Sequence, residues 1–139
     1  MKHTQRALLS LAAFALSSCA AEGHRVLTQG NGKLAIVDHE GVIEWEMAWG
    51  GIHDIHALPS GNIMVQEGAA RVVEIDRETK EVVWRYDSTQ ANGNAGERVE
   101  VHAFQPLEGG KVMIAESGPA RIIEVDREGA LLSETKLKV

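Results

Sequence analysis

The sequence predicts an all-β fold, a β-propeller of four-stranded blades with about three blades present as part of a larger ring. Three observations carry this. The chain repeats itself: Ser60 to Glu78 is echoed by Gly109 to Glu128, with Ala-Arg-Val-Val-Glu-Ile-Asp-Arg-Glu answered by Ala-Arg-Ile-Ile-Glu-Val-Asp-Arg-Glu. The spacing is 49 residues at Glu67/Glu116 and 50 at Asp76/Asp126, so one inserted residue near Ser117 separates the copies. A period of about 50 built from short apolar runs is that of propeller blades or a related β array. Finally, beyond residue 18 no segment sustains the apolar period of about 3.6 residues that a helix needs.

The strands follow in order. Val26 to Thr28, Lys33 to Asp38 and Val42 to Met47 are divided by Gly30-Asn31-Gly32 and by His39-Glu40-Gly41, and form a first blade over residues 26–47. Ile52 to Leu58 ends in the turn cluster Pro59-Ser60-Gly61-Asn62 and leads to Ile63 to Gln66, Arg71 to Asp76 and Glu81 to Tyr86, a second blade over 52–86. Ser88 to Arg98 is polar, rich in Gly and Asn, and reads as a surface loop. Val99 to Phe104, Val112 to Ala115, Arg121 to Asp126 and a weaker Leu131 to Val139 make a third blade over 99–139. Val37-Asp38-His39-Glu40-Gly41 and Val125-Asp126-Arg127-Glu128-Gly129 share one hairpin form, an apolar strand ending on Asp before a Gly turn. Trp45 and Trp84 come seven and eight residues after Asp38 and Asp76, as blade-edge packing, where the third unit carries Glu134. The first unit lacks one strand, as in a ring whose last blade is completed by both chain ends. Three blades fall short of the about 4–8 of a closed ring. The chain therefore reads as the N-terminal piece of a longer protein, with closure between copies or an open meander as the alternatives.

Residues 1–18 read as a signal peptide. Lys2 and Arg6 make a basic start, and Ala7 to Leu16 is apolar apart from Ser10. Leu16-Ser17-Ser18-Cys19 resembles a bacterial lipobox, which implies cleavage before Cys19, lipidation of Cys19 and a linker over 19–25. An ordinary signal peptide cut at Ala20 or Ala21 is the alternative. Ala20 after the cysteine resembles the sorting pattern of outer-membrane lipoproteins, so the expected address is the cell envelope, periplasm or outer membrane, with membrane contact through the lipid on Cys19. Cys19 is the only cysteine, which excludes a disulfide within one chain. Removing residues 1–18 leaves 121 residues and takes the formal charge from −6 to −8, which argues against nucleic acid as a partner.

Chemistry is carried by few residues. Asp54-x-His56-x-Leu58 aligns with Glu100-x-His102-x-Phe104, and residues two apart on a strand share a face. Each pair would lie on the innermost strand of its blade, where a carboxylate fixes the imidazole tautomer and raises its basicity, as a ligand-binding site or a general base requires. Asp54, His56, Glu100 and His102 are the candidate ligand-binding residues and His56 and His102 the catalytic candidates; backbone bonds that merely hold the blades are the alternative use. His53 points the other way from Asp54 and His56, as a packed or loop-edge residue. Glu67 and Glu116 align at strand ends and are expected to be solvated or paired with Arg71 and Arg121, or else ligand contacts at the mouth. Arg71/Glu74 and Arg121/Glu124 are expected to be surface ion pairs. Trp49-Gly50-Gly51 lies in a loop on one face of the disc. No metal site, phosphate-binding glycine motif or Gly-x-Ser-x-Gly is present in the sequence.

His53 to Val65, then Val73-Glu74-Ile75-Asp76, then Val82-Val83-Trp84-Arg85-Tyr86 resembles one blade of the PQQ-binding-like β-propeller repeat proteins, and bacterial arylsulfotransferases are similar in the same segments. The resemblance covers residues 26–130 and implies the propeller fold; a PQQ cofactor is implied by it alone, and the vicinal cysteines of quinoprotein dehydrogenases have no counterpart. The expected function is a non-catalytic binding or scaffold module for an unidentified protein or small molecule; a subunit of an outer-membrane assembly machine is a third reading, with no residue that singles out its partner. The alternative is an arylsulfotransferase-like or quinoprotein-like enzyme, in which His56 or His102 would attack a sulfuryl group.

Overall fold

A computed structural model describes residues 23–138; the expected signal peptide and Cys19 lie outside the described residues. Eleven strands form in the predicted places: β1 Val26–Gly30, β2 Lys33–Val37, β3 Ile43–Ala48, β4 Ile55–Ala57, β5 Ile63–Glu67, β6 Arg71–Ile75, β7 Val82–Asp87, β8 Val101–Pro106, β9 Val112–Glu116, β10 Arg121–Val125 and β11 Leu131–Lys136. They pair as three antiparallel meanders, β1-β2-β3, β4-β5-β6-β7 and β8-β9-β10-β11. The first sheet has three strands and corresponds to the outer three of the others. A short 3₁₀ turn, Glu108–Gly110, precedes β9 and escapes a sequence reading.

The core lies between the sheets. Leu34 and Ile36 of blade one pack on Ile63, Val65, Val73 and Ile75 of blade two. The opposite face of blade two, with Met64, Val72 and Tyr86, packs on Val101, Phe104, Val112, Ile114, Ile123 and Val125 of blade three. Blade two is thus covered on both sides, so β5 and β6 are buried at nearly every position rather than at alternate ones.

Each sheet shifts register at the same place, between Ile36/Val37, Glu74/Ile75 and Glu124/Val125. Such a bulge re-aims the facing side chain. In blades one and two that side chain is tryptophan, and its indole crosses to the next blade. Trp45 Nε1 donates to the Arg77 carbonyl at 2.8 Å, and Trp84 Nε1 to the Arg127 carbonyl at 2.7 Å. Lys80 and Arg127 lie over the two rings at 5.7 and 4.6 Å from their centroids, adding cation–π attraction. In blade three the register pairs Ser133 with Glu124, as Trp84 pairs with Glu74. Ser133 rather than Glu134 therefore holds the tryptophan position, because the Asp126 hairpin is one residue shorter than the Asp76 hairpin.

Two further expectations need correction. Arg71/Glu74 and Arg121/Glu124 are three apart on strands and so face opposite sides of their sheets. Arg71 pairs instead with Glu67 at 2.8 Å, Glu74 with Arg127 at 2.6 Å, and Glu124 with Lys111 at 3.6 Å. The 88–98 segment is not wholly a surface loop: Ser88 and Asn94 are buried. Asn94 Nδ2 donates to Glu116 Oε1 at 3.1 Å and to the Ser88 carbonyl at 2.7 Å, while its Oδ1 accepts from Arg121 Nη2 at 2.9 Å. Arg121 also meets Glu116 at 2.6 Å, with the Glu116 side chain fully buried. A Cβ on Gly118 would overlap the Arg98 carbonyl, so the segment closes down on blade three only over a glycine.

Glu67 and Glu116 occupy equivalent positions in different media, which gives a test. Glu116→Ala removes the fully buried carboxylate from Arg121, leaving it only Glu134 at 3.5 Å, and is expected to cost about 2–4 kcal/mol in urea denaturation. Glu67→Ala, at a partly solvated pair, is expected to cost about 0–1 kcal/mol. The Arg85 guanidinium, then that of Arg71, holds the Glu67 carboxyl below its ordinary 4.5. The stability this contributes is present above 4.5 and is lost as pH falls through the lowered value. Glu67→Gln should therefore flatten the acid limb of a stability–pH curve; an unchanged limb contradicts the assignment.

Candidate functional site

The innermost strands β4 and β8 lie at the sheet ends and meet along one rim. Asp54 immediately precedes β4, and its Oδ1 accepts from the Ile55 amide at 2.9 Å, which fixes the carboxylate at the strand start. Its Oδ2 accepts from the Phe104 amide of the next blade at 2.9 Å. His56 Nε2 is 2.8 Å from the Phe104 carbonyl and 3.2 Å from Asp54 Oδ1. Both neighbours accept, so Nε2 carries a proton. The imidazole also tilts against the Phe104 ring, with centroids 5.0 Å apart. One carboxylate and one imidazole thus hold both backbone groups of a residue on an edge strand, which has no further strand to pair with.

Glu100 and His102 do not repeat this arrangement. Ile55 pairs with Val65 and Phe104 with Ile114, a shift of 49 residues on both strands. At that offset Asp54 corresponds to Ala103 and His56 to Gln105, while His102 falls in a register shift of β8 and has no partner on β9. The spacing of 46 that aligns the two carboxylate–imidazole pairs in sequence is three short of this register, and β8 bulges between Val101 and Ala103. The two pairs therefore stand at different levels of the rim and do not converge on one ligand.

Glu100 and His102 instead join His53 and Arg98 at the opposite face of the disc. His102 Nε2 is 3.5 Å from Glu100 Oε2, Arg98 Nη2 donates to Glu100 Oε1 at 2.8 Å, and the His53 and His102 rings lie 5.1 Å apart. The Arg98 hydrogen bond holds the Glu100 carboxyl below the usual range. His53, expected as a packed or loop-edge residue, lies exposed in the bend before β4 and joins this cluster. Among the described residues no group of three His, Cys, Asp or Glu side chains has metal-binding geometry. Trp49 is half-buried against blade two and donates from Nε1 to the Gln66 carbonyl at 2.9 Å.

Two concavities adjoin the rim. A groove of about 320 Å³ is lined by His56, Ala57, Leu58, Pro59, Phe104, Gln105 and Pro106. A larger cleft of about 540 Å³ opens between blades two and three, where sequence reasoning placed nothing. Leu58, Pro59, Met64, Pro106 and Leu107 wall it, and the Glu74–Arg127 ion pair lies at its base.

A family profile described as outer membrane protein assembly factor BamB, of the PQQ-like repeat type, matches residues 17–135. The chain belongs to this family. Among solved structures, this BamB-family chain is similar to a protein of unknown function from Bacteroides caccae, with 17% identity and a TM-score of 0.55 over 84% of this chain and 43% of that one. BamB from Moraxella catarrhalis aligns with 18% identity and a TM-score of 0.43, over 78% of this chain and 32% of that one. The WD40 domain of SCAP from fission yeast aligns with 13% identity and a TM-score of 0.43, over 76% and 27%. The chain spans less than half the length of each of these structures. No curated protein matches the sequence.

The geometry separates the two histidines experimentally. His56→Ala leaves the Phe104 carbonyl without its donor and is expected to lower stability by about 1–3 kcal/mol. His102→Ala, on the exposed bulge, should stay within about 0.5 kcal/mol of wild type. Paired thermal melts read the difference, and equal losses would contradict the assignment.

Proposed function

We propose that this chain is an exported, lipid-anchored propeller module of the cell envelope that binds a protein or small molecule and carries out no reaction of its own. One observation carries the reading. Asp54 and His56, the inner-strand pair best suited to acid–base work, direct their hydrogen bonds at the Phe104 backbone and so join two blades. Family membership supports the same view, since the family is described by an outer-membrane assembly factor. The basic start, apolar run and Leu16-Ser17-Ser18-Cys19 support export with the lipid on Cys19. The cleft between blades two and three is the binding region: its volume of about 540 Å³ and apolar walls fit a ligand site with a few fixed polar groups.

An arylsulfotransferase-like enzyme is the second reading. It rests on His102, which is exposed beside Arg98 and Glu100. Expression in a Gram-negative host with labelled palmitate, followed by assay with p-nitrophenyl sulfate, separates the two. The proposal expects label on wild type, none on Cys19→Ala, and no sulfuryl transfer by either. Absence of label from wild type contradicts the anchor; turnover lost in His102→Ala contradicts the non-catalytic role.

A further inference from the structure

We propose that the cleft between blades two and three takes a small amphiphile, an apolar chain ending in one carboxylate, with that carboxylate on Arg127. The inference rests on the reading of this cleft as the binding region and names its ligand class. Both blades that form the cleft are complete four-stranded sheets. Its lining comes from the β4–β5, β8–β9 and β10–β11 turns, with Met64 and Glu74 from the strands beneath.

The walls set the apolar part. Leu58, Pro59, Met64, Pro106 and Leu107 carry no strong hydrogen-bonding side chain. A ligand that displaces water from them gains free energy only where it is itself apolar. Unused hydrogen-bonding capacity sets the polar part. Both oxygens of Glu74 are engaged: Oε1 accepts from Asn62 Nδ2 at 2.8 Å, and Oε2 lies 2.6 Å from Arg127 Nη2. Arg127 is the reverse case. Its guanidinium carries several N–H donors, and among the described residues Glu74 is the acceptor it meets. Lys111 Nζ stands 3.6 Å from Glu124 Oε2, beyond hydrogen-bond distance. Glu108, the other carboxylate of the lining, is exposed to water in the turn before β9. The cleft therefore has spare donors on cations beside apolar walls, and an anionic headgroup completes them with charge-assisted bonds.

Arg127 is also held in place. Its guanidinium lies over the Trp84 ring at 4.6 Å from the centroid. Gly110 abuts its stem, where an added Cβ would come 3.2 Å from Arg127 Cγ. A planar guanidinium fixed in this way loses little freedom when it takes a carboxylate in a forked pair. The charges of Arg127 and Lys111 are balanced by those of Glu74 and Glu108, so a singly charged headgroup is favoured over a doubly charged phosphate.

NMR titration of the isotope-labelled full chain with decanoate, and with decan-1-ol as the uncharged chain of equal length, tests this. Decanoate is expected to shift the Leu58, Leu107 and Gly110 amides and the Arg127 Nε resonance, and to bind at least about tenfold more tightly than decan-1-ol. Arg127→Gln should weaken decanoate about tenfold and leave decan-1-ol unchanged, a difference that misfolding does not produce. If the amide spectrum of that variant shows loss of fold, Lys111→Gln and Glu108→Gln replace it: the first should weaken decanoate alone and the second tighten it alone. Equal affinity for the two chains, with the cleft amides shifted, overturns the carboxylate and leaves the cleft as a binding region. No shift of these amides with either chain overturns both.

Discussion

A sheet that is apolar on both faces cannot stand alone in water, and the rest of this structure follows from that constraint. The valines and isoleucines of β5 and β6 are buried only because blade one lies on one side and blade three on the other. Burying a Val, Leu or Ile side chain contributes roughly 1.5–3 kcal/mol, so these two contacts dominate the stability. Hydrophobic contact alone leaves the angle and height of one blade against the next free to slide. Directional bonds fix them, and in this chain they come from three levels of the sheet.

At the outer level an indole N–H reaches a turn carbonyl of the next blade, twice over. In the middle, the Glu74–Arg127 pair spans the second interface and Arg127 packs on Trp84. At the inner rim, Asp54 and His56 hold the Phe104 backbone. The last is the most consequential for function. A carboxylate beside an imidazole invites a catalytic reading, yet here the proton on Nε2 is committed to a backbone carbonyl and the carboxylate to a backbone amide. The cleft left between the same two blades, rather than the histidine pair, is where the molecule has room for a partner.

Much of this was legible in the sequence. Apolar runs punctuated by Gly, Asn and Pro placed all eleven strands, and the Asp76/Asp126 repeat identified the blades. What escaped notice has common physical causes. Glu-x-His lines up with Asp-x-His at a spacing of 46 although the sheet register sets 49, and the bulge at His102 leaves no mark in composition. Phe104 serves through its amide and carbonyl, and backbone atoms leave no mark in a sequence. Asn94 looked solvated because its neighbours are Gly and Asn; only the fold brings Glu116 and Arg121 to it.

The central claim, that Asp54 and His56 latch blade two to blade three, is tested most directly by amide hydrogen exchange at Phe104. That amide sits on an edge strand and is held by the Asp54 carboxylate. The account predicts slow exchange in wild type and exchange in Asp54→Ala as fast as in a solvated edge strand, with the β9 and β10 amides still protected. Fast exchange at Phe104 in wild type, or protection that survives Asp54→Ala, would contradict it.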